Sequence, residues 1–452
     1  MDAIAKFSKH VVETGYDDLS SEAISATKTF LLDTIGVAVA GSAGPWVEEL
    51  VECLGHWGEA DHSSVWVRGT KLPAPAAAMA NAYQIHNSEF DCVHEAAVVH
   101  PMATVVSAAL AHAEREGHIR GADLITALAL GVDVACHIGV ASKSPLQFFR
   151  PATAGGFGAT AAVGKLMGFD TKTMVNAMSM VYSQMCGTMQ AHAEAPILLG
   201  MQMGFNARNA VIACDMAARG LAGTQNVLEG PFGYYKLFEG DYDLTAVLAN
   251  LGTVWRVAEV SHKPFPSGRA THGIVDAVMS LRNKHGFAAE DVEEVTARVP
   301  PLVHRLVSRP LKDAPAPNYA RLCAAYVASR ALLRGTVDID DFRPPALSDP
   351  ETHALARRFT LVADDNQEGN AFVPVTVTVA LKDGRTHAIT LDVVYGHPAN
   401  PMSREAHVEK FRRNWVCGTV PLDEAKGERL IGLVDDLEVV ADIRELIELV
   451  LA

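Results

Sequence analysis

Residues 372–396 read FVPVTVTVALKDGRTHAITLDVVYG, and they show that the chain is not helical throughout. Valine and threonine alternate before Lys382-Asp383-Gly384-Arg385, and β-branched residues take up the pattern again after it. Side chains at period two predict half-buried strands, and Asp-Gly between two such runs predicts a hairpin. Upstream, DVEEVTARVP (291–300) alternates in the same way and stops at a proline. Between these segments YARLCAAYVASRALLRG (319–335) has the spacing of a helix ending at glycine. Residues 263–397 are therefore expected to form a smaller α+β domain.

The rest of the chain has a different pattern. SSEAISATKTFLLDTIGVAVAG (20–41) opens on a serine cap signal and closes on glycine. Further alanine-rich apolar runs predict helices almost continuously to about residue 255. Small residues let helices approach closely, so dense packing follows. The last thirty residues and SREAHVEKFRRNW (403–415) return to helix and are expected to pack back on the first domain. The expected fold is thus mostly α, with a large discontinuous all-helical domain (1–262 and 398–452) beside the α+β domain (263–397). A chain of 452 residues is too long for one compact core, and 49% hydrophobic residues can fill two.

Composition narrows the function. A net charge of −15 disfavours nucleic-acid binding, which needs a basic face. It leaves room for a small anion, because a few local cations dominate a cleft. The run LITALALGVDVACHIGVA is interrupted by Asp133 and His137, so a buried helix explains it better than a membrane span. The N-terminal residues lack the basic and apolar regions of a signal peptide. The seven cysteines at 53, 92, 136, 186, 214, 323 and 417 include no CxxC pair, which fits a reducing cytoplasm.

Two segments concentrate chemistry. HNSEFDCVHEAAVVHP (86–101) holds His86, Glu89, Asp91, His94 and His100. Helical metal pairs want i, i+3 or i+4 spacing, and these residues specify no single ligand set, so no metal is expected. Acid–base use suits histidine, which titrates near neutrality. KPFPSGRATH (263–272) carries Lys263, Arg269 and His272 on a stiff turn before a helix. Elsewhere Arg150 precedes Pro151 at a helix entrance, where an arginine can grip a carboxylate bidentately. The glycine-rich stretch after it is not GxGxxG following a strand, so a dinucleotide site is rejected. Tyr326 lies within an apolar helix, where a buried phenol needs a partner.

Together these segments resemble the MmgE/PrpD family, which includes 2-methylcitrate dehydratases, cis-aconitate decarboxylases and iminodisuccinate epimerase. The family pattern HxxDFDDTH followed by HP is matched by His86, Phe90, Asp91, His94, His100 and Pro101, with Glu89 in place of an aspartate. KPYPxxRxTH is matched by KPFPSGRATH, and the tyrosine-bearing helix of the second domain by Tyr326 to Ser329. LEGPFGYY, KLMGFD and NPMSREAHVEKF extend the likeness over nearly the whole chain. Two positions depart. Arg150 stands where many members have histidine, and LGMQMG places Leu199 and Gln202 where many have lysine and histidine. Because the decarboxylases are expected to use that histidine and that lysine, the departures weigh against decarboxylation, and they also weigh against a plain 2-methylcitrate dehydratase.

The resemblance implies a homodimer and cofactor-independent chemistry on a small polycarboxylate. Removing a proton near a carboxylate demands positive charge beside the developing carbanion. Lys263, His100, Asp91 and Tyr326 are the expected catalytic groups. Arg150, His94, His272, Glu89 and Arg269 are the expected substrate-binding groups. Fewer acid–base groups and one added arginine favour an epimerase of the iminodisuccinate type. A hydro-lyase acting on a citrate-like acid is the alternative, and a catalytically silent polycarboxylate binder a third.

Overall fold

In the computed structural model, residues 2–195 and 197–452 are described. Met1 and Pro196, inside the expected helical stretch, lie outside the described residues. The protein is mostly α-helical, with a four-stranded mixed sheet confined to its second half.

The helical part is a stack of long apolar helices. Ser20 caps the helix Ser21–Gly41, its hydroxyl accepting from Ala23 N at 3.2 Å. The helices Pro101–Glu116, Gly121–Ala141 and Arg150–Leu166 are almost wholly buried along their lengths. Glycine allows the last two to touch backbone to backbone. A Cβ on Gly158 would sit 2.4 Å from Gly131 O, and one on Gly131 would sit 2.8 Å from Gly158 O. Helix Gly121–Ala141 is long and apolar enough to cross a membrane, yet 94% of its most apolar window is buried among its neighbours.

One hydrophobic core joins residues from Ala3 to Val260 with Phe411, Trp415 and the apolar side chains up to Val450. The C-terminal helix Arg404–Trp415 lays Phe411 over Gly36, where a Cβ would meet the ring at 2.8 Å. The second core gathers Ile274, Val278, Val295, Val377, Tyr326 and their neighbours.

The sheet runs in the order 359–363, 292–299, 375–381, 386–391. Strands Val375–Leu381 and Thr386–Leu391 form the expected hairpin, with Ala380 opposite Thr386 and Gly384 at φ 87° in the turn. Val375, Val377, Val379 and Leu381 point inward, as period two requires. Strand Phe359–Ala363 pairs in parallel with Val292–Val299 at the sheet edge. It was not visible in the sequence, because most of its residues are partly or fully exposed and no clean alternation survives.

Candidate active site

The helix Ala74–His86 ends on His86, and the chain then turns tightly to reach His100, the residue before the next helix. Glu89 and Val98 both adopt φ 53° in this turn. Such backbone is costly for a β-branched residue, and strain of this kind collects where side chains must be aimed. A short antiparallel bridge pairs Val93 with Ser261 (N–O 3.0 and 2.7 Å). That bridge sets the turn beside Lys263, some 170 residues later in sequence.

A line of alternating charge results. Lys263 Nζ, fully buried, donates to Glu89 Oε2 at 2.9 Å and to Glu89 O at 3.1 Å. Glu89 Oε1 lies 3.7 Å from His86 Nε2. His86 Nδ1 donates to both oxygens of Asp91 at 3.0 Å. Asp91 Oδ2 is 3.4 Å from His100 Nδ1, which donates to Cys92 O at 3.0 Å. His86 and His100 meet edge to face, their ring centroids 4.9 Å apart.

Burial acts first on each group, and the partners then decide the outcome. Burial pushes Asp91 up, but His86 and His100 outweigh it and hold the carboxyl well below its usual range. Glu89 is likewise raised by burial and lowered further by Lys263 and the two imidazoles, to about 2. His86 is lowered by burial but carried upward by Asp91 and Glu89. His100 goes the other way, lowered by burial and then by Lys263. The set therefore holds one imidazole made more basic between two carboxylates and one imidazole made less basic at its end. Since His100 Nδ1 carries the donated proton, Nε2 keeps its lone pair, and it makes no hydrogen bond among the described residues.

His100 and Glu89 face a cavity of about 50 Å³ between the helical part and the second core, room for a few water-sized groups. Phe149, Pro151 and Met189 line it from one side, Gly268, Arg269, Leu306 and Phe372 from the other. His192 faces it too, from the short helix Met189–Glu194. Arg309 Nη2 donates to His192 Nδ1 at 3.2 Å, which leaves the proton on Nε2. Burial and then Arg309 lower His192 to about 4, so it is neutral at pH 7. The cavity thus meets two neutral imidazoles in opposite tautomers.

Four expected site residues lie elsewhere, and each correction has a physical reason. Arg150 does grip a carboxylate, but the protein's own: its Nε and Nη2 bond Glu239 at 3.0 and 2.8 Å, and Nη1 bonds Ala97 O at 3.0 Å. Its guanidinium is fully buried and committed. His94 has both nitrogens in use, Nε2 with Glu259 at 3.0 Å and Nδ1 accepting from Ala97 N at 3.1 Å. His272 packs beside Phe265 and bonds Ser267 O at 3.2 Å, outside the cavity wall. Tyr326 donates to Asp341 O at 2.7 Å and lies within 3.0 Å of Ala346 O, in the second core. Arg269 borders the cavity, with its Nε on Glu95 at 2.8 Å and Nη1 on Tyr395 O at 2.8 Å.

His86 stood in the histidine-rich cluster without a role, and its place between two carboxylates depends on the turn. His192 lies in the short stretch MQAHAE (189–194), which carries none of the motifs read above, and could be found only in space. Among the described residues, two groups bring metal-ligating atoms within 4.8 Å of one another, His86–Asp91–His100 and Asp33–His262–His407. In the first, the Nδ1 protons of both imidazoles are already spent on Asp91 and Cys92 O. In the second, Lys410 Nζ stands 2.7 Å from Asp33 and 3.1 Å from Phe90 O, so an ammonium already supplies the cation. Neither donor set is arranged as an open metal site.

Residues 5–246 match the MmgE/PrpD N-terminal domain and residues 265–437 the MmgE/PrpD C-terminal domain. The chain belongs to the MmgE/PrpD family. It is similar to the cis-aconitate decarboxylase of Mus musculus, at 27% identity over 94% of this chain and 88% of that protein. The Homo sapiens cis-aconitate decarboxylase is 27% identical over 96% of this chain and 91% of its own length. The Aspergillus terreus enzyme of the same name is 27% identical over 96% and 92%. This MmgE/PrpD protein is accordingly an enzyme with relatives among lyases. The expected epimerase gains no support from them.

Proposed function

We propose that this MmgE/PrpD enzyme is a lyase that removes water from a small citrate-like polycarboxylate. The observation that carries the reading is His100: a neutral imidazole on the cavity, its Nδ1 proton held by Cys92 O and backed by Asp91, with Nε2 open. His100 Nε2 takes the proton from the carbon next to a carboxylate, and Asp91 stabilises the imidazolium that forms. The electron pair of the broken C–H bond makes the double bond as the neighbouring C–O bond breaks. His100 then passes its proton to the departing hydroxide, so water leaves and the imidazole is restored. Neutral His192 donates Nε2–H to the oxygen on which charge develops, a task an imidazole performs without ionising. Lys263, paired to Glu89, keeps His100 unprotonated and adds positive potential.

The relatives' name, cis-aconitate decarboxylase, supports a polycarboxylate substrate and a lyase reaction. Water loss is favoured over decarboxylation because Arg150 is locked on Glu239 and position 199 is a buried leucine. Epimerisation would need a proton returned from the other face of the carbon, and Tyr326, expected among the catalytic groups, lies in the second core. The enzyme incubated with citrate-like acids in D₂O and followed by NMR should give a vinylic signal and no carbon dioxide. Stoichiometric CO₂, or α-deuteration with scrambled stereochemistry and no alkene, would replace this reading with decarboxylation or epimerisation.

A further inference from the structure

Among the described residues, the stretch NPMSREAHVEKF (400–411) contributes no side chain to the cavity wall. Its Lys410 nevertheless reaches the turn that carries Glu89 and Asp91. Phe411 packs over Gly36 and seats helix Arg404–Trp415 on helix Ser21–Gly41. That seat brings Lys410 beside Asp33, whose Oδ1 is 2.7 Å from the ammonium, with both side chains 1% exposed. Lys410 Nζ also donates to Phe90 O at 3.1 Å and stands 4.1 Å from the centre of the Phe90 ring. His262 and His407 border Asp33 too. Burial lowers them to about 3 and about 4, so Lys410 carries the positive charge there.

Two ammonium groups from distant parts of the chain thus hold successive carbonyls of one turn. Lys263 takes Glu89 O at 3.1 Å, and Lys410 takes Phe90 O. Glu89 itself adopts φ 53°, a left-handed backbone that persists where neighbours over-determine it. Asp91 comes next, with His86 Nδ1 at 3.0 Å and His100 Nδ1 at 3.4 Å. A buried ion pair adds little stability over apolar residues of the same volume, so stability alone does not account for an ammonium at position 410. An apolar side chain there would leave Phe90 O without the donor it has now.

We propose that Lys410 is a positioning residue for the proton transfer. By holding Phe90 O it fixes the backbone of Asp91, and through Asp91 it sets the distance and orientation of His100. This rests on the lyase reading above, in which His100 is the base, and it adds the C-terminal helix to the working parts of the site.

The test is the double variant Asp33→Asn/Lys410→Met. Lys410→Met alone would strand Asp33 without its cation, and the paired change leaves no buried charge unanswered. Folding is checked by circular dichroism and melting temperature. The kcat for water loss from a citrate-like acid, per folded molecule, should fall about a hundredfold, the effect of an ångström of misplacement, with KM near the parental value. NMR of protein labelled with ¹⁵N-histidine gives a reading independent of turnover. The Nδ1 proton of His100, donated to Cys92 O at 3.0 Å and assigned by its loss in His100→Asn, should exchange with water faster in the double variant. Faster exchange together with the loss of kcat supports the inference. Faster exchange when even the parent releases no water from any acid supports it as well and removes the lyase reading. A folded double variant with parental kcat, or with a change in KM alone, or with an unaltered His100 signal, overturns the inference.

Discussion

The network around Arg150 and the network around Asp91 use the same kinds of side chain, yet one is closed and the other open. Arg150 meets Glu239, Ala97 O and Ser142 Oγ, and Glu239 in turn accepts from Tyr234 and Ser142. In the second network, among the described residues, His86 Nε2 is buried without a hydrogen-bond partner, and His100 lines the cavity with its Nε2 free of hydrogen bonds. The two networks come together at the turn after His94, where Arg150 holds Ala97 O and Val98 lines the cavity. A saturated buried ion pair holds a turn in place, whereas an unsatisfied valence is what a substrate can use.

This contrast can be broken at several points. The largest effect should come from His100→Asn, which removes the base. Turnover should fall by about 10² to 10⁴ while the melting temperature stays near that of the parent. A variant with parental kcat would remove His100 from the mechanism. Next, Arg150→Met should leave Glu239 buried without its cation. Urea unfolding should show a loss of about 3–5 kcal/mol, with kcat per folded molecule little changed. A stable variant that cannot bind substrate would instead make Arg150 part of the open site.

A smaller effect sharpens the comparison through pH. His100 must be unprotonated to act, and its pKa lies below the usual 6.5 because of burial and Lys263. Activity should therefore persist as pH falls past 6.5 and be lost only as pH falls through the lowered value. Lys263→Met removes the neighbouring ammonium that lowers His100 and leaves Glu89, whose charge acts in the opposite sense. The acid limb of kcat/KM should then move to higher pH, and an unmoved limb would mean that another group sets it. The smallest effect is expected for Tyr326→Phe. It should cost about 1–2 kcal/mol of stability, because two carbonyls lose a buried donor, and should leave kcat within about twofold. A collapse of kcat would return the phenol to the site.

Much of the fold was legible because it rests on local rules. Ser20 caps its helix, Asp383-Gly384 turns the hairpin, and alternate valines face inward along Val375–Leu381. Strand Phe359–Ala363 escaped because its parallel partner lies more than fifty residues earlier and its edge position leaves most side chains partly or fully exposed. The site was legible in part. Proline and histidine spacing marked the turns that carry Glu89, Asp91, His100 and Lys263, but nothing local distinguished His94 from His100. Both sit in one short segment; Ala97 N occupies Nδ1 of the first, and only the packing of Glu259 against it takes up Nε2.

By itself the sequence determined which residues carry ionisable groups, where the chain turns and which faces are apolar, since these depend on neighbours a few positions away. The tertiary structure alone decided that Lys263 meets Glu89, that Arg150 is answered by Glu239, and that His192 shares a cavity with His100. Charge, tautomer and basicity in a buried site follow from atoms within a few ångströms, and folding brings those atoms together from distant parts of the chain.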